Sequence, residues 1–203
     1  VWNLEQTKLM RTYHGHSAAV RDVQFNHDGK KFVSASFDKF LRLWDTESGE
    51  VLQTFSKRGV PYCVQFYPRD DTYFCVGGSD SKIVTYNSKT GKVTQEYSHH
   101  LAPVNAILFV DDHGIKLVSS GDDKKILIWE WDIGVPIKYI SDPSMHSIPS
   151  LCLHPSNRFI CGQSLDNTIC VVSCQKKFAM TKSKYSGHVV SGYACEMSIS
   201  PDG

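Results

Sequence analysis

Five positions recur at a near-constant step along this chain of 203 residues: Trp2, Trp44, Tyr86, Trp129 and Val172 stand 42, 42, 43 and 43 residues apart. An aspartate precedes each of the last four by six residues, at Asp38, Asp80, Asp123 and Asp166. Gly49, Gly91 and Gly134 keep the same spacing. Markers held in register over most of a chain mean one supersecondary unit stacked on the next. The first clear repeat shows what that unit is. After Gly15-His16, residues 20–25 alternate apolar and polar side chains, the period of a strand. Asn26-His27-Asp28-Gly29 is a turn cluster whose residues tolerate the φ values of tight hairpins. Residues 31–36 form a second strand, Phe37-Asp38-Lys39 a tight turn and residues 41–44 a third strand. Thr46-Glu47-Ser48-Gly49 then turns into a fourth over residues 51–55. Short strands separated by turns predict an antiparallel four-stranded sheet, not parallel strands joined by crossovers.

The same unit is expected again at strands 61–66, 73–77, 82–86 and 93–97, and at 104–109, 116–120, 126–129 and 137–140. It is weakest at 151–153, 159–162 and 168–172, with a ragged outer strand near Phe178. The period divides the chain into 1–14, the end of a preceding unit; repeats at 15–56, 57–98, 99–141 and 142–184; and 185–203, the start of a fifth. A period in the low forties, with Gly-His near the repeat start and Trp-Asp near its end, resembles the WD repeat. That resemblance implies an all-β fold, a WD40 β-propeller represented in part by about four complete four-stranded blades of seven. Four repeats and two partial ones would leave an open arc, so the chain reads as part of a longer protein.

Charge and cysteine usage narrow the function classes. A net charge of +1 gives no global pull toward nucleic acid or membrane. No apolar run approaches the roughly twenty residues that span a bilayer. Seven cysteines, odd in number and without a Cys-x-x-Cys pair, argue against a zinc ribbon. Most fall in expected strands, where a free thiol behaves as a small hydrophobe in a reducing compartment.

His16, Ser34, Asp38 and Trp44, and again His100, Ser119, Asp123 and Trp129, contain the residue types of a serine-hydrolase triad. A triad would occur once, with an exposed nucleophile and an oxyanion hole. Recurrence in two repeats favours a structural hydrogen-bond network joining imidazole, carboxylate, hydroxyl and indole, and no catalytic residue is assigned. Val76 and Tyr86 in the second repeat, and Gly162 and Val172 in the fourth, break the network, so those units are expected to rely on packing alone. The histidines fall at repeat starts and hairpin turns without metal-ligand spacing; no metal or other cofactor is implied. Lys176, Lys177, Lys182 and Lys184 could track a phosphate backbone, or serve only as edge-strand lysines that discourage pairing. Lys57-Arg58, in a connecting loop, poses the same choice.

Several irregular stretches go beyond the generic repeat: Trp129-Glu130-Trp131-Asp132-Ile133, Pro143-Ser144-Met145-His146-Ser147, Arg58-Gly59-Val60-Pro61-Tyr62-Cys63-Val64, and 187–195. With Ala19-Val20-Arg21-Asp22 and Tyr97-Ser98-His99-His100-Leu101, they resemble the pre-mRNA-processing factor seventeen family over essentially the whole chain. The resemblance implies a nuclear, non-catalytic scaffold of the spliceosome acting in the second step of splicing. Its expected partners are spliceosomal proteins and snRNA or pre-mRNA within that complex, with no membrane and no small-molecule substrate. In related propellers two positions per blade line the central opening on one face. They correspond here to Arg21, Tyr62 and Asn105, and to Phe37, Ser79, Asp122 and Leu165. The competing reading is a substrate-recognition propeller of a ubiquitin ligase, since a rigid ring suits either role.

Overall fold

The computed structural model describes residues 1–111, 115–175 and 178–202, and the regular structure among them is all β. A short hairpin, β1 (Trp2–Asn3) with β2 (Lys8–Leu9), comes first. Four sheets follow, each antiparallel and each built from four consecutive strands. The first holds β3 (Val20–Phe25), β4 (Lys31–Ser36), β5 (Phe40–Asp45) and β6 (Val51–Ser56). The second holds β7 (Pro61–Phe66), β8 (Tyr73–Gly78), β9 (Ile83–Asn87) and β10 (Val93–Tyr97). The third holds β11 (Val104–Asp111), β12 (Ile115–Gly121), β13 (Ile126–Glu130) and β14 (Pro136–Ile140). The fourth holds β15 (Ser150–Leu153), β16 (Phe159–Ser164), β17 (Thr168–Ser173) and β18 (Ala179–Ser186).

The first strands β3, β7, β11 and β15 lie side by side, so they form the inner wall of an arc with the fourth strands outside. The core lies between sheets, not within one. Val33, Leu43 and Phe55 of the first sheet pack on Val64, Phe74 and Tyr86 of the second. Cys63, Ile83 and Tyr97 pack on Ile107, Leu117 and Trp129 of the third. Val118, Ile126 and Ile128 then meet Ile160, Cys170 and Val172 of the fourth. Leu117 and Val118 are sequence neighbours in different cores because successive strand side chains point to opposite faces. This is why β13, Ile-Leu-Ile-Trp-Glu, reads as a nearly continuous apolar run.

The fourth sheet has the ragged outer strand expected near Phe178: it runs over Ala179–Ser186, and its pairing with β17 slips between Cys170↔Lys184 and Val172↔Met180. Phe178, immediately before it, is buried in one cluster with Met145, Ile160 and Val172. Residues 187–202 contribute no strand, but they are tied back to β15: Ser150 Oγ donates to Glu196 Oε2 at 3.0 Å and accepts from Met197 N–H at 3.3 Å. All seven cysteines are free thiols; Cys63, Cys75, Cys170 and Cys174 are buried and Cys195 is exposed.

Candidate functional site

The turns between second and third strands share one construction. In each sheet a residue just before the turn aspartate donates its N–H to the carbonyl that leads into the inner strand. The pairs are Phe37 to Ala19 (3.0 Å), Ser79 to Val60 (2.9 Å), Asp122 to Pro103 (2.9 Å) and Leu165 to Ser147 (3.0 Å). The residue after each aspartate, Lys39, Ser81, Lys124 and Asn167, is left-handed, with φ between 60° and 68°. These bonds set the four turns and the four connecting loops on a common face of the arc, hereafter the turn face.

Beneath that face the first and third sheets carry the four-residue constellation as bonded atoms. His16 Nδ1 lies 2.8 Å from Asp38 Oδ2 and its Nε2 2.6 Å from Ser34 Oγ, which accepts the Trp44 indole N–H at 2.8 Å. In the third sheet His100 Nδ1 lies 3.0 Å from both Asp123 oxygens, and its Nε2 is 2.8 Å from Ser119 Oγ. The Trp129 indole again donates to that hydroxyl at 2.8 Å. Gly121 is required here, because a Cβ would come within 2.9 Å of both Asp123 Oδ1 and His100 Nδ1. Burial pushes the Asp38 carboxyl up, but bonds from His16, the Phe40 N–H, Arg42 and the Ser17 N–H outweigh it and hold it well below the usual carboxylate range. Asp123 is likewise lowered: burial opposes, while His100 and the Leu101 N–H prevail.

The second sheet corrects the expectation that it relies on packing alone. Lys57 occupies the histidine's place, its side chain 1% exposed, with Nζ 2.9 Å from Asp80 Oδ2 and 3.3 Å from Lys82 O. The buried ammonium substitutes for the imidazole, so Lys57 is not available to a phosphate; Arg58 beside it is exposed. The signal was present in the spacing, since Lys57 stands 23 residues before Asp80 as His100 does before Asp123. In the fourth sheet His146 is half exposed and 3.8 Å from Asp166, whose Oδ1 instead takes the Thr168 hydroxyl at 2.6 Å.

Arg21, Tyr62 and Asn105 share a feature that strand periodicity does not reveal. In three sheets the inner-strand register slips by one residue, from Val20↔Ser36 to Asp22↔Ala35, from Pro61↔Gly78 to Cys63↔Gly77, and from Val104↔Gly121 to Ala106↔Ser120. The extra residue is Arg21, Tyr62 or Asn105. A bulge of this kind re-aims its side chain, and all three line one cleft of about 170 Å³ with Asp22, Gln24, Gln65 and Glu196. Asp22 is partly buried there, accepting the Val64 N–H at 2.8 Å; burial raises its carboxyl above the ordinary value. Phe37, 47% exposed, has its ring centroid 6.3 Å from that of Tyr62. Asp122 is clamped by Asn105 Nδ2 and Ser147 Oγ, both at 2.6 Å. Ser79 Oγ accepts the Val60 N–H at 2.8 Å, and Leu165 is partly buried. Lys182 and Lys184 are exposed on the outer strand β18, whereas Lys176 and Lys177 lie outside the described residues.

An arc of four-stranded sheets, each with an aspartate turn stitched to its inner strand, defines a WD-repeat propeller. The family model described as WD domain, G-beta repeat matches residues 7–45, 91–130 and 137–173, and the chain belongs to that family. Each match closes at the end of a third strand, so a sequence repeat takes its outer strand from the preceding sheet. Pre-mRNA-processing factor 17 of Homo sapiens is 46% identical over 97% of this chain and 34% of its own length. The protein of that name from Saccharomyces cerevisiae is 36% identical over the whole chain and 46% of its own. WD repeat-containing protein 25 of Mus musculus is 30% identical over the whole chain and 39% of its own. The chain therefore spans between a third and a half of the length of these relatives, and the resemblance drawn from its irregular stretches holds.

Proposed function

We propose that this chain forms part of a non-catalytic scaffold of the spliceosome, which docks spliceosomal proteins and RNA during the second step of pre-mRNA splicing in the nucleus. The observation that carries this reading is the 46% identity, over 97% of the chain, to a protein named Pre-mRNA-processing factor 17. The site geometry supports it. Ser34 and Ser119, the only nucleophiles in the constellations, are 3% and 0% exposed, and each hydroxyl is already engaged by an imidazole and an indole. Neither hydroxyl is thus presented as the free, exposed nucleophile that a triad needs. The docking surface on this reading is the turn face. Arg21, Phe37 and Tyr62 are residue types enriched at interface hot spots, while Ser79, Asn105, Asp122 and Leu165 shape the rim around them.

The test is affinity purification of the tagged full-length protein from nuclear extract, with and without ribonuclease, read by mass spectrometry. Recovery of late spliceosome proteins and snRNA is expected, with direct protein partners surviving ribonuclease. Recovery of cullin-ligase subunits without snRNA would refute the assignment and favour the ubiquitin-ligase reading.

A further inference from the structure

The turn aspartates are spent inside the fold. Asp38 accepts from His16, Arg42 and two backbone amides, and Asp80 is paired with the buried Lys57. The cations of the adjoining loops are not used this way. Lys39 and Arg58 are exposed, whereas Arg21, at its bulge, shares a cleft with Asp22 and Glu196. The two exposed cations lie close together: the Lys57 N–H donates to Lys39 O at 3.2 Å, which sets Arg58 beside the first turn. Gly59 then packs so tightly on the second turn that a Cβ would meet Ser79 Oγ at 2.7 Å, which fixes the path of the Arg58 loop. Among them stands Phe37, half exposed, backed by the Tyr62 ring. On the neighbouring third sheet the exposed Lys124, at the position of Lys39, is accompanied by Asp122, whose carboxylate accepts from Asn105 and Ser147.

We infer that the turn face of the first two sheets is a binding surface for single-stranded RNA. Phe37 supplies a stacking platform for a base, and Lys39 and Arg58 contact the phosphates. This rests on the reading above only in giving that scaffold an RNA-contacting face; the placement comes from the charge balance of the turns. An aromatic platform flanked by cations is the chemistry by which proteins hold single strands without reading their sequence. The overall charge of +1 is no obstacle, because Asp38 and Asp80 are each neutralised by a cation inside the fold, Arg42 and Lys57, while Lys39 and Arg58 stay exposed on the face.

The experiment uses the full-length protein and a fluorescent uridine RNA of about twelve nucleotides, within the site sizes of single-strand binders. Binding is measured as a function of salt for the wild type, for K39E/R58E, for F37A, and for K182E/K184E on the outer strand. The reversal pair is expected to lower the slope of log affinity against log salt by about 1.4, two phosphate contacts at roughly 0.7 each. F37A is expected to weaken binding at least about fivefold with an unchanged slope. K182E/K184E should change neither, and melting temperatures check that every variant is folded. Loss of binding in K182E/K184E alone, or no RNA binding by the folded wild type, overturns the inference. So does a face that crosslinks only to protein within the assembled complex. Each of these outcomes leaves the spliceosomal association, read by purification after ribonuclease, standing or falling separately.

Discussion

Replacing Asp80 with Asn tests the substitution of a lysine for a histidine in the second sheet. Lys57 Nζ has three contacts, the two Asp80 oxygens at 2.8 and 2.9 Å and the Lys82 carbonyl at 3.3 Å, and its side chain is 1% exposed. Asp80 is 15% exposed, so the pair is largely out of water. Two costs then compete. The intact pair has low net worth, because desolvation of both ions consumes most of their attraction. Breaking it leaves a buried ammonium with neutral acceptors only and no counter-charge, which costs about 3–5 kcal/mol. The expected outcome is therefore asymmetric: D80N and K57M each destabilise strongly, while K57M/D80N recovers most of the loss because neither charge remains. For a domain of this size each kcal/mol moves the melting temperature by about 2–4 °C. D80N should thus fall by about 6–20 °C, read by calorimetry of the full-length protein. The coupling energy of the cycle should exceed about 2 kcal/mol. A D80N protein within about 1 kcal/mol of wild type, or singles that simply add in the double, would show that the buried pair does not hold the second sheet.

Three further outcomes follow from the structure. Asp123→Ala leaves the His100 imidazole without its partner and should destabilise the third sheet by about 1–3 kcal/mol, with faster amide exchange along β12 and β13. Asp38 is held below its ordinary value of 3.8, so its contribution is complete above that value and is lost as the pH falls through the lower folded one. Acid unfolding should accordingly show Asp38→Asn less stable than wild type at neutral pH, with the two curves converging only below about pH 4. Cys63 and Cys75 are buried, and burial raises both thiols, that of Cys75 to about 12. N-ethylmaleimide at neutral pH should therefore leave both unlabelled in the native protein and label them on unfolding, as peptide mass spectrometry would report.

Most of the fold was written in the period. Four short strands per 42 or 43 residues, with Asn, Asp and Gly at the turns, leave little but stacked antiparallel sheets, because each turn is too short for a crossover. The network was legible where its residue types were complete, as at His16 and His100. Lys57 was missed because its residue type hid a position that its spacing marked, and a lysine in a connecting loop reads as solvated until its surroundings are known. In the fourth sheet the ragged outer strand expected near Phe178 begins at Ala179, but the burial of the Phe178 ring in the core between the third and fourth sheets was not legible, because it depends on residues far away in sequence.

What the sequence alone determined was local and periodic: strand, turn, strand, and which face of each strand is apolar. Only the tertiary structure decided where those faces meet and where the ladder slips. The bulges at Arg21, Tyr62 and Asn105 leave no mark in the alternation of their own strands, since a register belongs to two strands at once. That one-residue slip turns three unrelated side chains toward a common opening. The pairing of Asp38 and Asp80 beneath the turns leaves Lys39 and Arg58 outside. Which charges the turn face shows is thus decided by which pairs the fold buries, Asp38 with Arg42 and Asp80 with Lys57, a quantity that no count of residues contains.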